Sequence, residues 1–170
     1  MSKHNSLQTK WAHEVLAAHF EGRKPHAEQS EELKNKAGCF VSLHNPDGTL
    51  RGCIGTILPT KETLLDEIKA NAVSAALNDP RFLPLKKEEL DNLDISVDVL
   101  GDPEPIKGLE ELDPKVYGVI VSAGNRKGVL LPDLPGINDP REQVHIAMQK
   151  AGISPGTTIS IHRFKVNRFH

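Results

Sequence analysis

Cys39-Phe40-Val41-Ser42-Leu43-His44-Asn45-Pro46-Asp47-Gly48-Thr49-Leu50-Arg51-Gly52-Cys53-Ile54-Gly55-Thr56 is the stretch on which the fold turns. Two strand-like runs, 39–44 and 49–56, flank Asn45-Pro46-Asp47-Gly48. Pro46 suits the second position of a type I turn, and Gly48 supplies the left-handed residue of a bulged hairpin. If the loop is Pro46, Asp47 and Gly48, then Asn45 faces Thr49, Leu43 faces Arg51 and Val41 faces Cys53. That register puts Cys39, Val41, Leu43, Arg51 and Cys53 on one face, with Phe40, His44, Leu50 and Ile54 on the other. Apolar groups on both faces imply a hairpin covered on both sides, so Arg51 needs a partner or a route to water.

Before the hairpin, Ser6 can cap a helix to about Glu21 that carries Leu7, Trp11, Val15 and Ala18 at spacings of three and four and ends at Gly22. The polar segment 21–36, with Pro25, reads as a connector that is partly helical at 28–34. After the hairpin, Thr60 can cap a helix to about Leu77 with an apolar arc of Leu64, Leu65, Ile68, Ala72, Ala75 and Ala76. Asn71, Ser74 and Asn78 form a polar stripe at the edge of that arc, and Asn78-Asp79-Pro80 stops the helix. A short helix at 86–92 then leads into a half-exposed strand at 94–100.

Runs 116–123 and 128–131 around Gly124-Asn125-Arg126-Lys127 read as a second hairpin. Asp139-Pro140-Arg141-Glu142 opens a helix that Gly152 closes. In the last strand Ile159 and Ile161 are odd-numbered, whereas Phe164 and Val166 are even. The phase therefore slips near His162-Arg163, as a bulge would cause. The order helix, hairpin, helix, strand, hairpin, helix, strand hints at two similar halves, and the class is α+β.

Composition narrows the function. With 170 residues the chain can bury a core without disulfides or a structural metal. It carries 21 Lys and Arg against 23 Asp and Glu, so bulk charge gives no reason to expect nucleic acid or an anionic membrane. No apolar run suits a secretory core or a membrane span, and two cysteines outside any C-x-x-C pattern fit a reducing compartment. The expectation is a cytoplasmic protein. Eight histidines are scattered without H-E-x-x-H or H-x-H spacing, and neither a phosphate loop nor G-x-G-x-x-G occurs, so neither a metal nor a cofactor is expected.

Leu50-Arg51-Gly52-Cys53-Ile54-Gly55 resembles the signature of the AMMECR-one domain family. Asn78-Asp79-Pro80-Arg81-Phe82, the segment 95–106 with its Pro-Glu-Pro, and Lys127-Gly128-Val129-Leu130-Leu131-Pro132 resemble further family blocks in the same order. The tail from Gln143 through Lys150-Ala151-Gly152-Ile153 is similar to the branch called AmmeMemoRadiSam system protein A. The resemblance implies a single domain over 1–170, an α+β fold of two subdomains with antiparallel hairpins, flanking helices and a cleft near the hexapeptide. It also implies association with a Memo-like protein and a radical SAM protein, and it implies no known reaction. Asp133 stands where many relatives have Gln and Asp98 where many have Ser; a ligand contact at either position implies a different preference.

Within the motif Cys53 is the candidate nucleophile, because it is the one side chain there with nucleophilic chemistry and a nearby Arg51 would favour its thiolate. The commoner reading of a free cysteine, a small buried hydrophobe, stands against it. No histidine lies in the motif, so a general base would come from His145, His162 or a substrate. Arg51 can clamp a carboxylate or phosphate, or pair internally with Asp79 or Asp98. Gly52 and Gly55 allow a bulge or the close approach of a backbone or ligand. Together with Asn71, Asp79 and Arg81 these are the candidate ligand-binding residues. Two functions compete: a site for a small anionic ligand or modified peptide, with or without Cys53 chemistry, and a non-catalytic adaptor that receives a segment of a partner protein by strand addition. In a third reading, Arg163, Lys165 and Arg168 interleaved with Phe164 and Phe169 contact RNA; a solvated strand edge is the alternative.

Overall fold

The computed structural model describes residues 3–170. Ser6 accepts the amide of Thr9 and starts α1 (Leu7–Glu21), which ends where Gly22 turns left-handed at φ 66°. The connector holds one 3₁₀ turn, Glu31–Leu33. β1 (Cys39–His44) and β2 (Leu50–Thr56) form the expected hairpin, with Gly48 at φ 86°. α2 (Leu64–Leu77) begins one turn later than the sequence suggested: Thr63 is the cap, because the Thr60 hydroxyl is spent on the Glu67 carboxylate. A 3₁₀ segment, Lys87–Asn92, leads to β3 (Asp94–Leu100).

Beyond β4 (Glu104–Pro105), β5 (Gly118–Ala123) and β6 (Arg126–Leu130) meet in a hairpin tighter than expected, with Arg126 and Lys127 already in the ladder. α3 (Pro140–Ala151) has the cap at Asp139, the leading proline and the closing Gly152 read from the sequence. The final stretch is two strands, β7 (Ser160–Phe164) and β8 (Val166–Phe169), which belong to different sheets. The expected bulge at His162-Arg163 does not form: β7 pairs with β5 in unbroken register from Ser160 to Phe164, so Ile161 and Phe164 lie on opposite faces of one strand, and Val166 follows in the other sheet.

The chain divides into two compact units, one reaching Val99 and adding 167–170, the other spanning Leu100–Val166. In the first, a sheet of order β2-β1-β3-β8 carries α2 on β1 and β2, with α1 packed on α2. Its core gathers Trp11, Leu16, Val41, Leu43, Ile68 and Val97. In the second, a sheet of order β4-β7-β5-β6 is covered by α3 around Val119, Val121, Val144 and Ala147. α2 and α3 each reach a hairpin through a glycine. A Cβ at Gly52 would stand 2.2 Å from the Ala75 carbonyl oxygen of α2, and one at Gly128 would collide with the Ala147 carbonyl oxygen of α3. Among the described residues, no helix is long and apolar enough to cross a membrane.

Candidate functional site

The hairpin register differs from the expected one by a residue. Asn45 faces Thr49 as anticipated, but the ladder then shifts: His44 faces Leu50, Leu43 faces Gly52, Val41 faces Ile54 and Ser42 faces Cys53. Arg51 is the extra residue of a bulge. Cys53 is therefore not on the face of Cys39, Val41 and Leu43; Ile54 is. The shift follows from packing, since it turns the larger Ile54 toward the helices and sets Gly52 beneath the α2 backbone, where no side chain fits.

The other face of the same sheet carries a polar row. Cys53 on β2 faces Ser42 on β1, which faces Ser96 on β3. The Ser42 hydroxyl and the Cys53 thiol lie 3.2 Å apart. One step along, Gly55 faces Phe40, which faces Asp98. The glycine is needed there because a Cβ would stand 2.3 Å from the Phe40 ring. Asp98 is not the exposed member of a half-exposed strand: it is 3% exposed and gripped by both prongs of Arg168 at 2.7 and 3.1 Å.

Asp79 and Arg81 close on the outer edge of β2. The Cys53 amide donates to one Asp79 oxygen at 3.0 Å, the Arg81 amide and Nε donate to the other at 3.1 Å, and Arg81 Nη2 reaches both Asp79 and the Cys53 carbonyl. The Arg81 guanidinium beside it, together with the Cys53 amide, holds the Asp79 carboxyl far below its ordinary range against the opposing effect of burial. Asp79 is buried, while the Arg81 side chain is 56% exposed. The cation that acts on Cys53 is thus Arg81 and not Arg51, and the carboxylates of Asp79 and Asp98 oppose it. Arg51 donates from Nε and Nη2 to the two oxygens of Glu89, a residue that reads in sequence as part of a solvated helix face, and neither expected partner, Asp79 nor Asp98, meets it.

Behind the motif lies a second polar knot. Asn71, expected on an edge stripe, is buried and donates to the Cys39 carbonyl and the Thr56 hydroxyl. Glu67, also buried, accepts from the Thr56 and Thr60 hydroxyls and from the Thr60 and Lys61 amides. Burial pushes the Glu67 carboxyl up, but these donors outweigh it and leave it below its usual value. Both residues fasten the end of β2 to α2.

Burial raises the Cys53 thiol above its ordinary value, and the Ser42 hydroxyl and Arg81 only partly oppose it. Cys39, wholly buried, is pushed up to about 12. Below neutral pH both sulfurs are thiols. Alkylation at pH 6.5 is expected to label Cys53 ahead of Cys39, which is both wholly buried and harder to ionise, yet at least tenfold more slowly than a free small-molecule thiol. A Cys53 rate above that of the free thiol, scored by peptide mass mapping, would reinstate an activated nucleophile.

The sequence did not single out Ser42, Glu89 or Glu67. Ser42 needed the correct register, and Glu89 needed contacts 38 residues apart. Asn78-Asp79-Pro80-Arg81 read in sequence as a helix stop and a family block, which marked Asp79 and Arg81 but not their contact with β2. In the second unit, Asp133 has φ 56° and lies 3.7 Å from Lys115. Arg163 binds Glu104 and stacks over Tyr117, and Phe164 is buried, so neither offers the open stacking surface of the RNA reading.

A model of the family described as AMMECR1 matches residues 9–170. The chain belongs to the AMMECR1 family. A protein of Thermotoga maritima is 49% identical over 165 residues, covering 94% of this chain and 95% of the relative. One from Clostridium acetobutylicum is 51% identical over 140 residues, which are 82% of this chain but 30% of that longer protein. The crystal structure of an uncharacterized protein from Pyrococcus horikoshii superposes with a TM-score of 0.83 at 29% identity, covering 98% of this chain and 93% of that one. The α+β fold is thus the fold of AMMECR1 relatives, and Leu50–Gly55 with the Asp79–Arg81 turn forms the candidate site of this member.

Proposed function

We propose that the hexapeptide Leu50–Gly55 and the Asp79–Arg81 turn bind a small anionic ligand or a modified peptide, in an accessory role to the Memo-like and radical SAM proteins of a shared pathway. The observation that carries this reading is an exposed guanidinium, Arg81, fastened beside a half-buried thiol, Cys53. A buried carboxylate fixes the cation in place, so little is lost in ordering it when an anion arrives. Arg51, both prongs on Glu89, serves as a brace, and the anchoring role falls to Arg81. Cys53 stays protonated and next to Ser42, which suits hydrogen bonding to a ligand; a covalent step would require a base brought by the ligand.

Titration of inorganic phosphate followed by amide chemical shifts tests the site. Shifts centred on Cys53 and Arg81 are expected. Arg81→Gln should weaken binding roughly ten- to a hundredfold, the worth of one charged hydrogen bond, and Cys53→Ser should leave it within about threefold. Phosphate that leaves those resonances unmoved overturns the reading. The adaptor alternative draws on a separate observation: in the Clostridium acetobutylicum relative the matching region is 30% of a longer chain, so the domain is used there joined to further polypeptide.

A further inference from the structure

β2 is an edge strand of its sheet. Edge strands present unpaired backbone groups that template an added strand. In an antiparallel ladder every second residue turns its N–H and C=O outward, and Cys53 is such a residue, because its N–H meets Asp79 and its C=O meets Arg81. Gly55, two residues on, is the next. Among the described residues its outward groups meet no donor or acceptor. The motif edge thus has a closed position at Cys53 next to an open one at Gly55. Leu58, 57% exposed, follows the open end, and Leu83, 83% exposed, follows Arg81.

A polypeptide pairing with Gly55 can extend toward Cys53 by only one residue. There the Asp79 and Arg81 side chains already hold the backbone groups that the next pair would need, so an added strand must end. Charge decides which end it is. Both Asp79 oxygens are engaged, whereas Arg81 is exposed and its Nη1 has no acceptor among the described residues. That group attracts a terminal carboxylate and repels a terminal ammonium. A chain whose carboxyl end lies at Cys53 runs antiparallel to β2, with its last but one residue opposite Gly55.

We propose that the β2 edge at Gly55 receives the free C-terminal end of an extended polypeptide, its backbone pairing with Gly55 and its carboxylate held by Arg81. The proposal rests on the motif being an anion-binding site and names the ligand class. It is separable from that reading because strand addition leaves its own mark on Gly55.

The probe is an array of randomised hexapeptides tethered through their N-termini, made once with free C-terminal carboxylates and once as C-terminal amides. Binding to free-acid peptides is expected, at least tenfold weaker on the amides and similarly weakened by Arg81→Gln. The best soluble hits should slow hydrogen exchange of the Gly55 amide at least tenfold. Equal binding of acids and amides, or hits that leave Gly55 exchange unchanged, would overturn the proposal using the wild-type protein alone. A blank array alongside phosphate shifts at Arg81 would sink the terminus reading and keep the anion site; a blank array without those shifts removes both.

Discussion

Gly52→Ala is expected to lower the stability of the first unit by about 3 kcal/mol, the upper end of the usual cost of overpacking. The reason is the identity of the obstacle. An added Cβ would stand 2.2 Å from the Ala75 carbonyl oxygen and 3.2 Å from its carbon, which are backbone atoms of α2 and cannot rotate away. Either α2 lifts from the hairpin, parting Ile68, Ala72 and Ala75 from Val41 and Leu43, or β2 loses its ladder with β1. For a unit of this size the shift in Tm is roughly 12–24 °C. Gly48→Ala is the control: φ is +86° but nothing lies within 4 Å of the added carbon, so only backbone strain of about 1 kcal/mol is expected. Equal melting curves for the two variants would mean that α2 is not seated on Gly52.

Glu67→Ala is expected to cost about 3 kcal/mol, through a cavity and the loss of four hydrogen bonds that tie the segment after β2 to α2. Glu67→Gln keeps the shape but turns an amide donor toward other donors, and about 2 kcal/mol is expected at pH 7. The same carboxylate makes stability depend on pH with a definite sign. Glu67 and Asp79 are both depressed in the folded protein, so the unfolded chain takes up protons first. Their contribution is fully present above the unfolded values near 4 and is lost as pH falls through the folded ones. Urea midpoints should therefore fall below about pH 4, and the gap between wild type and Glu67→Gln should narrow there, because protonation removes the charge that the variant lacks. A gap that stays constant from pH 7 to pH 3 would show that Glu67 is not held as a carboxylate.

The hexapeptide, the hairpin turn and the bounds of α1 and α3 were legible because each is encoded locally. Ser6 and Asp139 cap, Gly22, Gly48 and Gly152 adopt left-handed backbone, and the apolar spacing between them repeats with the helix. Asp79 and Arg81 were legible as neighbours for the same reason. Ser42 beside Cys53 was not, since one bulged residue at Arg51 exchanges the faces of everything after it. Glu89 on Arg51 and Arg168 on Asp98 were not, since the members of each pair lie 38 and 70 residues apart and nothing in the local pattern relates them.

By itself, then, the sequence determined the order of the three helices, the two hairpins and β3, the α+β class and the segment that carries the signature, but neither β4 nor the split of the last strand into β7 and β8. Tertiary packing decided which way the signature faces. α2 lies so close to β2 that only a glycine fits beneath the Ala75 carbonyl, and seating Gly52 there turns Ile54 inward and Cys53 toward Ser42. Propensity and turn chemistry act over a few residues and tolerate a slip of one position. A helix backbone pressed on a strand does not.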